Sequence, residues 1–118
     1  MMHFSGLAAL AFGGACGTLL RYFAVSASGS HWAVAAINVT GSFLIGMAWV
    51  LLGNRDLLGP VVMTGLLGGF TTFSAFSLDT LKLIEAGRLI EALTYVGISV
   101  ILSLFAVTLG VTLARHLS

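Results

Sequence analysis

The stretch Gly68-Gly69-Phe70-Thr71-Thr72-Phe73-Ser74-Ala75-Phe76 decides how this chain is read. Two glycines, three hydroxyls and three phenylalanines fall inside a segment otherwise apolar enough to cross a bilayer. A helix in lipid must satisfy its own backbone, so an interruption there is tolerated only where it faces protein or a water-filled cavity. Interrupted helices at bilayer depth hold ion and substrate sites. The expectation is a broken third span with an ion site at the break, Gly68-Gly69 supplying the non-helical link and its freed backbone groups.

Working outward, the chain has 118 residues, of which 58% are hydrophobic and 8% charged, with a mean hydropathy of +1.10. About a quarter of a soluble domain is charged, so this surface is built for lipid. The charges sit mostly at segment ends and leave apolar stretches at Phe4–Val25, Trp32–Leu52, Leu58–Ile84 and Ile90–Ala114. Each is near the roughly 20 residues that a bilayer requires. The fold class expected is an all-α membrane protein: one domain, residues 1–118, four transmembrane helices, multi-pass in the cell's inner (plasma) membrane.

The first span lacks the basic N-terminal region of a signal peptide. Cys16 is a lone cysteine within a span, so no disulfide framework is expected. A net charge of +1 leaves no footprint for nucleic acid. The loops Ser26–His31, Gly53–Leu57 and Glu85–Leu89 leave no room for a soluble catalytic domain, and no nucleophile–base or metal constellation can be assembled, so an enzyme is not expected. His3, His31 and His116 show no ligand-like clustering.

Lysine and arginine in short loops normally orient a membrane protein. Here Arg55 and Arg115 share one side, against Arg21, Lys82 and Arg88 on the other. That near balance leaves two readings open: an orientation set by other features, or insertion both ways with antiparallel pairing. Small residues four apart (Gly13 and Gly17, Ser42 and Gly46, Gly65 and Gly69) allow close helix approach. Each pair suits packing within one chain; the set as a whole points to a homo-oligomer.

Each span also carries polar groups that lipid disfavours. Arg21 either snorkels to the headgroups or sits as a fixed cation at a pore mouth. Asn38, Ser42 and Gly46 share one helix face. An asparagine there acts as interhelical glue, or its two N–H donors serve a dehydrated anion. Phe70, Phe73 and Phe76 form a stripe beside Thr71, Ser74 and Ser77; such a stripe packs a core, or its electropositive ring edges face an anion. Asp79 and Lys82 read most simply as an ion pair one turn apart. On the fourth span Tyr95, Ser99 and Ser103 recur every four residues, a polar line unless each serine bonds back to its own helix.

The motifs Gly13-Gly14-x-x-Gly17-x-x-x-Arg21-Tyr22, Asn38-x-x-Gly41-Ser42-Phe43-x-x-Gly46 and Gly65-x-x-Gly68-Gly69-x-Thr71-Thr72-Phe73-Ser74-x-Phe76 occur in order on three successive spans. With them, the chain resembles the Fluc/CrcB fluoride channels over essentially its whole length. The resemblance implies an antiparallel, dual-topology homodimer with two fluoride pores, whose third-span breaks cross at the dimer centre around a structural sodium ion. Carried over by motif position, the sodium would be held by backbone carbonyls of Gly68 and Thr71. Phe73 and Phe76 would line the pore with Asn38, Thr72, Ser99 and Ser103, and Arg21 is the arginine of the first motif. The chain departs from the family pattern at Ala75, at Ala33-Val34 and at Leu102, which removes expected hydroxyls or a glycine. Passive, fluoride-selective export is the function this implies. A proton-coupled transporter of the small multidrug resistance type is the alternative, for which Asp79 is the only carboxylate approaching the interior, as is a non-transporting membrane scaffold.

Overall fold

The computed structural model describes residues 2–118, and among them every regular element is helical. Four segments are long and apolar enough to cross a membrane: Phe4–Ser28, Trp32–Leu52, Leu58–Glu85 and Leu89–Leu117. The first, second and fourth are continuous helices, here α1, α2 and α5. The third is interrupted and comprises α3 (residues 58–70) and α4 (Phe73–Glu85). The spans extend a few residues beyond the apolar stretches. α1 continues through Ser28 and stops at Gly29, whose φ of 66° lets its N–H turn back to the Val25 carbonyl. At the end of α4, Gly87 takes φ 76°; its N–H bonds Ile84 and that of Arg88 bonds Leu83. This is the Schellman pattern that closes a helix on a left-handed glycine.

Two helix pairs dominate the packing: α2 against α5, and α1 against α3. Lipid supplies no hydrophobic force between helices, so close contact depends on small residues that let backbones meet. A Cβ on Gly17 would lie 2.0 Å from the Leu66 carbonyl oxygen, and one on Gly69 would lie 2.5 Å from that of Gly14. On the other pair, a Cβ on Gly46 would lie 2.4 Å from the Val107 carbonyl oxygen. The small-residue pairs thus act within one chain, and they are not by themselves an argument for a second copy.

The break falls within the expected segment, but on Thr71-Thr72 rather than on Gly68-Gly69. Gly68 keeps helical angles (φ −63°, ψ −37°), whereas Thr71 (φ −86°, ψ 160°) and Thr72 (φ −155°, ψ 124°) are extended. Gly69 serves contact with α1 rather than backbone freedom. Upstream, Val61–Leu67 is a π-helical stretch in which the Gly68 N–H reaches the Met63 carbonyl five residues back. Such widened turns are rare and cluster at functional sites.

Candidate functional site

Three neighbours hold the extended Thr71-Thr72 link in place. The Asn38 side chain on α2 pairs with the Thr72 backbone in both directions: Nδ2 donates to the Thr72 carbonyl and the Thr72 N–H donates to Oδ1, each at 2.8 Å. The Arg21 Nε of α1 donates to the Gly69 carbonyl at 3.1 Å. Gly41 leaves room for Thr71; a Cβ there would sit 2.2 Å from Thr71 Cγ2. Thr72 then starts α4, its Oγ1 accepting the Ala75 N–H at 3.1 Å as a helix N-cap.

These bonds determine which backbone groups are left over. In an unbroken helix the N–H of residue i bonds the carbonyl of i−4. The N–H groups that would serve Gly68 and Thr71 belong to Thr72 and Ala75, and both are bonded to side chains instead. Gly69 has Arg21 as its partner and Thr72 has Asn38. The carbonyls of Gly68 and Thr71 are therefore released from the helical ladder, with no replacement bond among the described residues. Two neutral oxygen donors close together in the chain suit a hard monovalent cation, and they are the two for which the resemblance raises the expectation of sodium.

Against the break, with Thr71 in its wall, lies a cavity of about 410 Å³, and Asn38, Thr72, Phe73, Phe76, Ser99 and Ser103 all line it. All but one of the expected pore residues, spread over three spans, thus face one space. Arg21 does not join them. It borders a second cavity of about 330 Å³ together with Thr18, Tyr22, Thr72 and Asp79. Thr72 is common to both, so the break is the partition between them.

The donors in the first cavity differ in how committed they are. Asn38 has one N–H on the Thr72 carbonyl, which leaves its second for the cavity. It is interhelical glue with one N–H to spare. Hydroxyls elsewhere bond back to their own helices: Ser77 to Phe73, Thr80 to Phe76, Thr94 to Ile90, Thr108 to Leu104 and Thr112 to Thr108. Ser99 does not. Among the described residues its buried hydroxyl has no partner, and that of Tyr95, one step up the same face, makes no hydrogen bond of good geometry. A buried polar group without a partner is costly and calls for a ligand or another explanation. Phe76 is 7% exposed and packs on Tyr95 at 5.2 Å between ring centroids, whereas Phe73 is 76% exposed, with its centroid 5.5 Å from that of Phe76. Neutral donors and ring edges, with no cation among the cavity's lining side chains, make a surface for a small dehydrated anion that must also leave again.

The residues that hold this constellation together all lie within a stretch matched to a known family. A family model described as CrcB-like protein, Camphor Resistance (CrcB), matches residues 8–111. The chain belongs to the CrcB family. It is 44% identical over 115 residues to a protein of Ruegeria sp. named Fluoride-specific ion channel FluC, covering 90% of this chain and 91% of the relative. A protein of Cereibacter sphaeroides with the same name is 46% identical over 118 residues, covering 94% and 95%. One of Jannaschia sp., again so named, is 52% identical over 84 residues, covering 70% and 80%. With four membrane-capable helices, this CrcB-family chain is a multi-pass protein of the cell membrane.

Some site features were not foreseen. Gly41 makes the seat for Thr71, and Ile45 and Leu67 complete the cavity wall; apolar lining leaves no mark in a membrane sequence. Asp79 and Lys82 are not an ion pair. Among the described residues the pairs are Glu91 with Arg88 and Glu91 with His31. His31, a loop histidine without ligand-like clustering in the sequence, packs edge-on against Tyr95 with ring centroids 4.9 Å apart.

Proposed function

We propose that the protein is a fluoride-selective channel that lets fluoride leave the cell passively along the serine–phenylalanine cavity. The carrying observation is the buried, unpartnered Ser99 hydroxyl in a cavity that also collects Asn38, Thr72, Phe73, Phe76 and Ser103. Relatives covering nearly the whole chain bear the name of fluoride-specific channels. Fluoride is small and holds its water tightly, so it enters a narrow passage only where donors replace that water. The spare Asn38 N–H and the hydroxyls of Thr72, Ser99 and Ser103 supply them, with ring edges of Phe73 and Phe76 between. None is charged, so no single position traps the ion. Chloride, being larger, is excluded by width.

The working unit is a homodimer of oppositely inserted copies, with two pores. Its support is that Phe73, at the cavity wall and beside the break, is 76% exposed in a single chain. A second copy would cover it and close the open side of the cavity. Pairing would also bring two sets of Gly68 and Thr71 carbonyls together, enough oxygens to hold a sodium ion that fixes the break without taking part in conduction. For a proton-coupled transporter, the carboxylate available is Asp79, which borders the second cavity with Arg21 and not the cavity of Ser99 and Ser103, although it also acts on Tyr95 at the end of their line.

Purified protein reconstituted in liposomes tests the reading. Fluoride efflux without chloride efflux, followed with ion-selective electrodes, is the expected result. Flux of neither ion, or fluoride flux that tracks an imposed proton gradient and disappears in Asp79→Asn, would overturn it.

A further inference from the structure

The polar line of α5 does not end at Tyr95. Ser103, Ser99, Tyr95 and Glu91 follow one another at four-residue steps on one face, and Glu91 lies in the first turn of α5, at the edge of the span. A carboxylate at the end of an anion path should repel the ion. Here it is compensated from two directions. Arg88 hydrogen-bonds Glu91 from one turn earlier, and His31, from the α1–α2 loop, places Nε2 3.1 Å from Glu91 Oε2. The imidazole also stands edge-on to Tyr95 at 4.9 Å and beside Trp32 at 5.3 Å. It therefore covers the outer end of the line.

The His31–Glu91 contact has an instructive geometry. The distance is that of an ion pair, yet Nε2 is buried without a hydrogen bond of acceptable alignment. What attraction there is comes from charge, and it exists only while the imidazole is protonated. Arg88 contributes one positive charge and Glu91 one negative. Protonation of His31 thus takes this group from neutral to singly positive, directly above Tyr95. The other charged group acting on Tyr95 is Asp79, from α4. Histidine is the side chain whose ordinary titration falls in the physiological range.

We infer that His31 is a proton-operated control on anion entry, raising flux through the serine line when the medium on its side turns acid. The inference rests on the proposed path along Ser99 and Ser103 and adds a regulatory residue to it. A positive mouth concentrates anions and lowers the barrier to entry, and a neutral one does neither. One added charge at this range changes local anion concentration by roughly two- to tenfold at low salt.

The test is initial fluoride efflux from liposomes at about pH 5.5 and about pH 7.5, on either side of ordinary histidine titration, with the leak of protein-free vesicles subtracted. The wild type is expected to run several-fold faster at the acid pH. His31→Ala should be flat at the slow level, and His31→Lys flat at the fast level. Glu91→Gln, which leaves Arg88 uncompensated, should raise the flux at the higher pH. A wild type that conducts fluoride equally at both pH values overturns the inference while leaving the channel reading intact. So does a His31→Ala protein that elutes as wild type and keeps the wild-type ratio, or a ratio lost in Asp79→Asn but kept in His31→Ala. Absence of fluoride flux at both pH values would instead count against the channel reading itself.

Discussion

Asn38 and Thr72 exchange two hydrogen bonds of 2.8 Å across α2 and the break in the third span, an amide side chain standing in for the missing turn of helix. The Thr72 N–H can only donate and its carbonyl only accept, so the orientation of the amide is dictated. Asn38→Asp keeps the acceptor for the N–H but turns a charged oxygen toward the Thr72 carbonyl and toward the cavity. Leaving a buried acceptor without its donor costs about 1–3 kcal/mol, and the added charge repels an anion. Asn38→Asp is expected to lower the thermal unfolding midpoint in detergent and to reduce fluoride flux by more than about tenfold. Wild-type flux from this variant would show that Asn38 does not face the ion.

Thr72 has a second task that can be separated from the first. Its Oγ1 caps α4 by accepting the Ala75 N–H, and the hydroxyl proton remains for Ser74, 3.3 Å away, or for an ion. Thr72→Ser retains both functions. Thr72→Val loses the cap, at about 0.5–2 kcal/mol, and the donor as well. Near-wild-type stability and flux in the serine variant, with both reduced in the valine variant, is the expected pattern in paired unfolding and efflux measurements.

The hydroxyls of Ser99 and Tyr95 offer a cleaner separation of stability from function. Among the described residues Ser99 Oγ has no partner and the Tyr95 hydroxyl makes no hydrogen bond of good geometry, although Asp79 acts on it, so removing them breaks no well-formed bond within the chain. Ser99→Ala and Tyr95→Phe should leave unfolding unchanged or slightly delayed, since an unpartnered buried polar group is a cost. Fluoride flux should nonetheless fall, by about tenfold for Ser99→Ala if one lost ion contact is worth about 1.4 kcal/mol in the barrier. Destabilisation without loss of flux would mean that these groups serve packing alone.

Glycines that look alike in the sequence differ sharply in what they touch. A Cβ on Gly17 would lie 2.0 Å from the Leu66 carbonyl oxygen, whereas one on Gly97 meets nothing within 4 Å. Gly17→Ala must push α1 away from α3 and is expected to abolish a folded, monodisperse protein. Gly97→Ala, in the interior of α5, should be neutral or stabilising by about 0.5–1 kcal/mol. Gly41→Ala lies between: the clash at 2.2 Å is with the Thr71 methyl, so the break shifts before the fold fails, and flux should drop ahead of stability. Size-exclusion profiles and efflux on the three variants order these effects.

The spans were legible because hydropathy and the placement of charge follow the bilayer directly, and the Tyr95, Ser99, Ser103 line because a helix face repeats every four residues. The location of the break was not. Gly68-Gly69 is the weaker local sequence, yet both glycines stay helical and Gly69 packs on α1, while Asn38, thirty-four residues away from Thr72, captures the N–H that would have continued the helix. A competition decided by a distant side chain has no local signature. The same holds for His31. Its meeting with Glu91 and Tyr95 depends on how the α1–α2 loop folds over α5, and periodicity says nothing about loops. Asp79 and Lys82 carried a good helical spacing and still do not pair, because Asp79 turns toward the Arg21 side of the break.

The released carbonyls give the last prediction. Gly68 and Thr71 have lost their helical donors to Asn38 and to the Thr72 cap, and two copies of the chain would assemble four such oxygens around a sodium ion. A ligand bound only by the folded assembly stabilises it in proportion to RT ln(1 + [L]/Kd), about 2.7 kcal/mol at a hundredfold excess over Kd. The thermal midpoint in detergent should therefore rise with sodium concentration and stay constant when choline replaces it at equal ionic strength. Asn38→Ala frees the Thr72 N–H to bond Gly68 again, so it should flatten the sodium dependence as well as lower the midpoint. A midpoint insensitive to sodium in the wild type would remove the cation from the break and leave the two carbonyls to be satisfied by water.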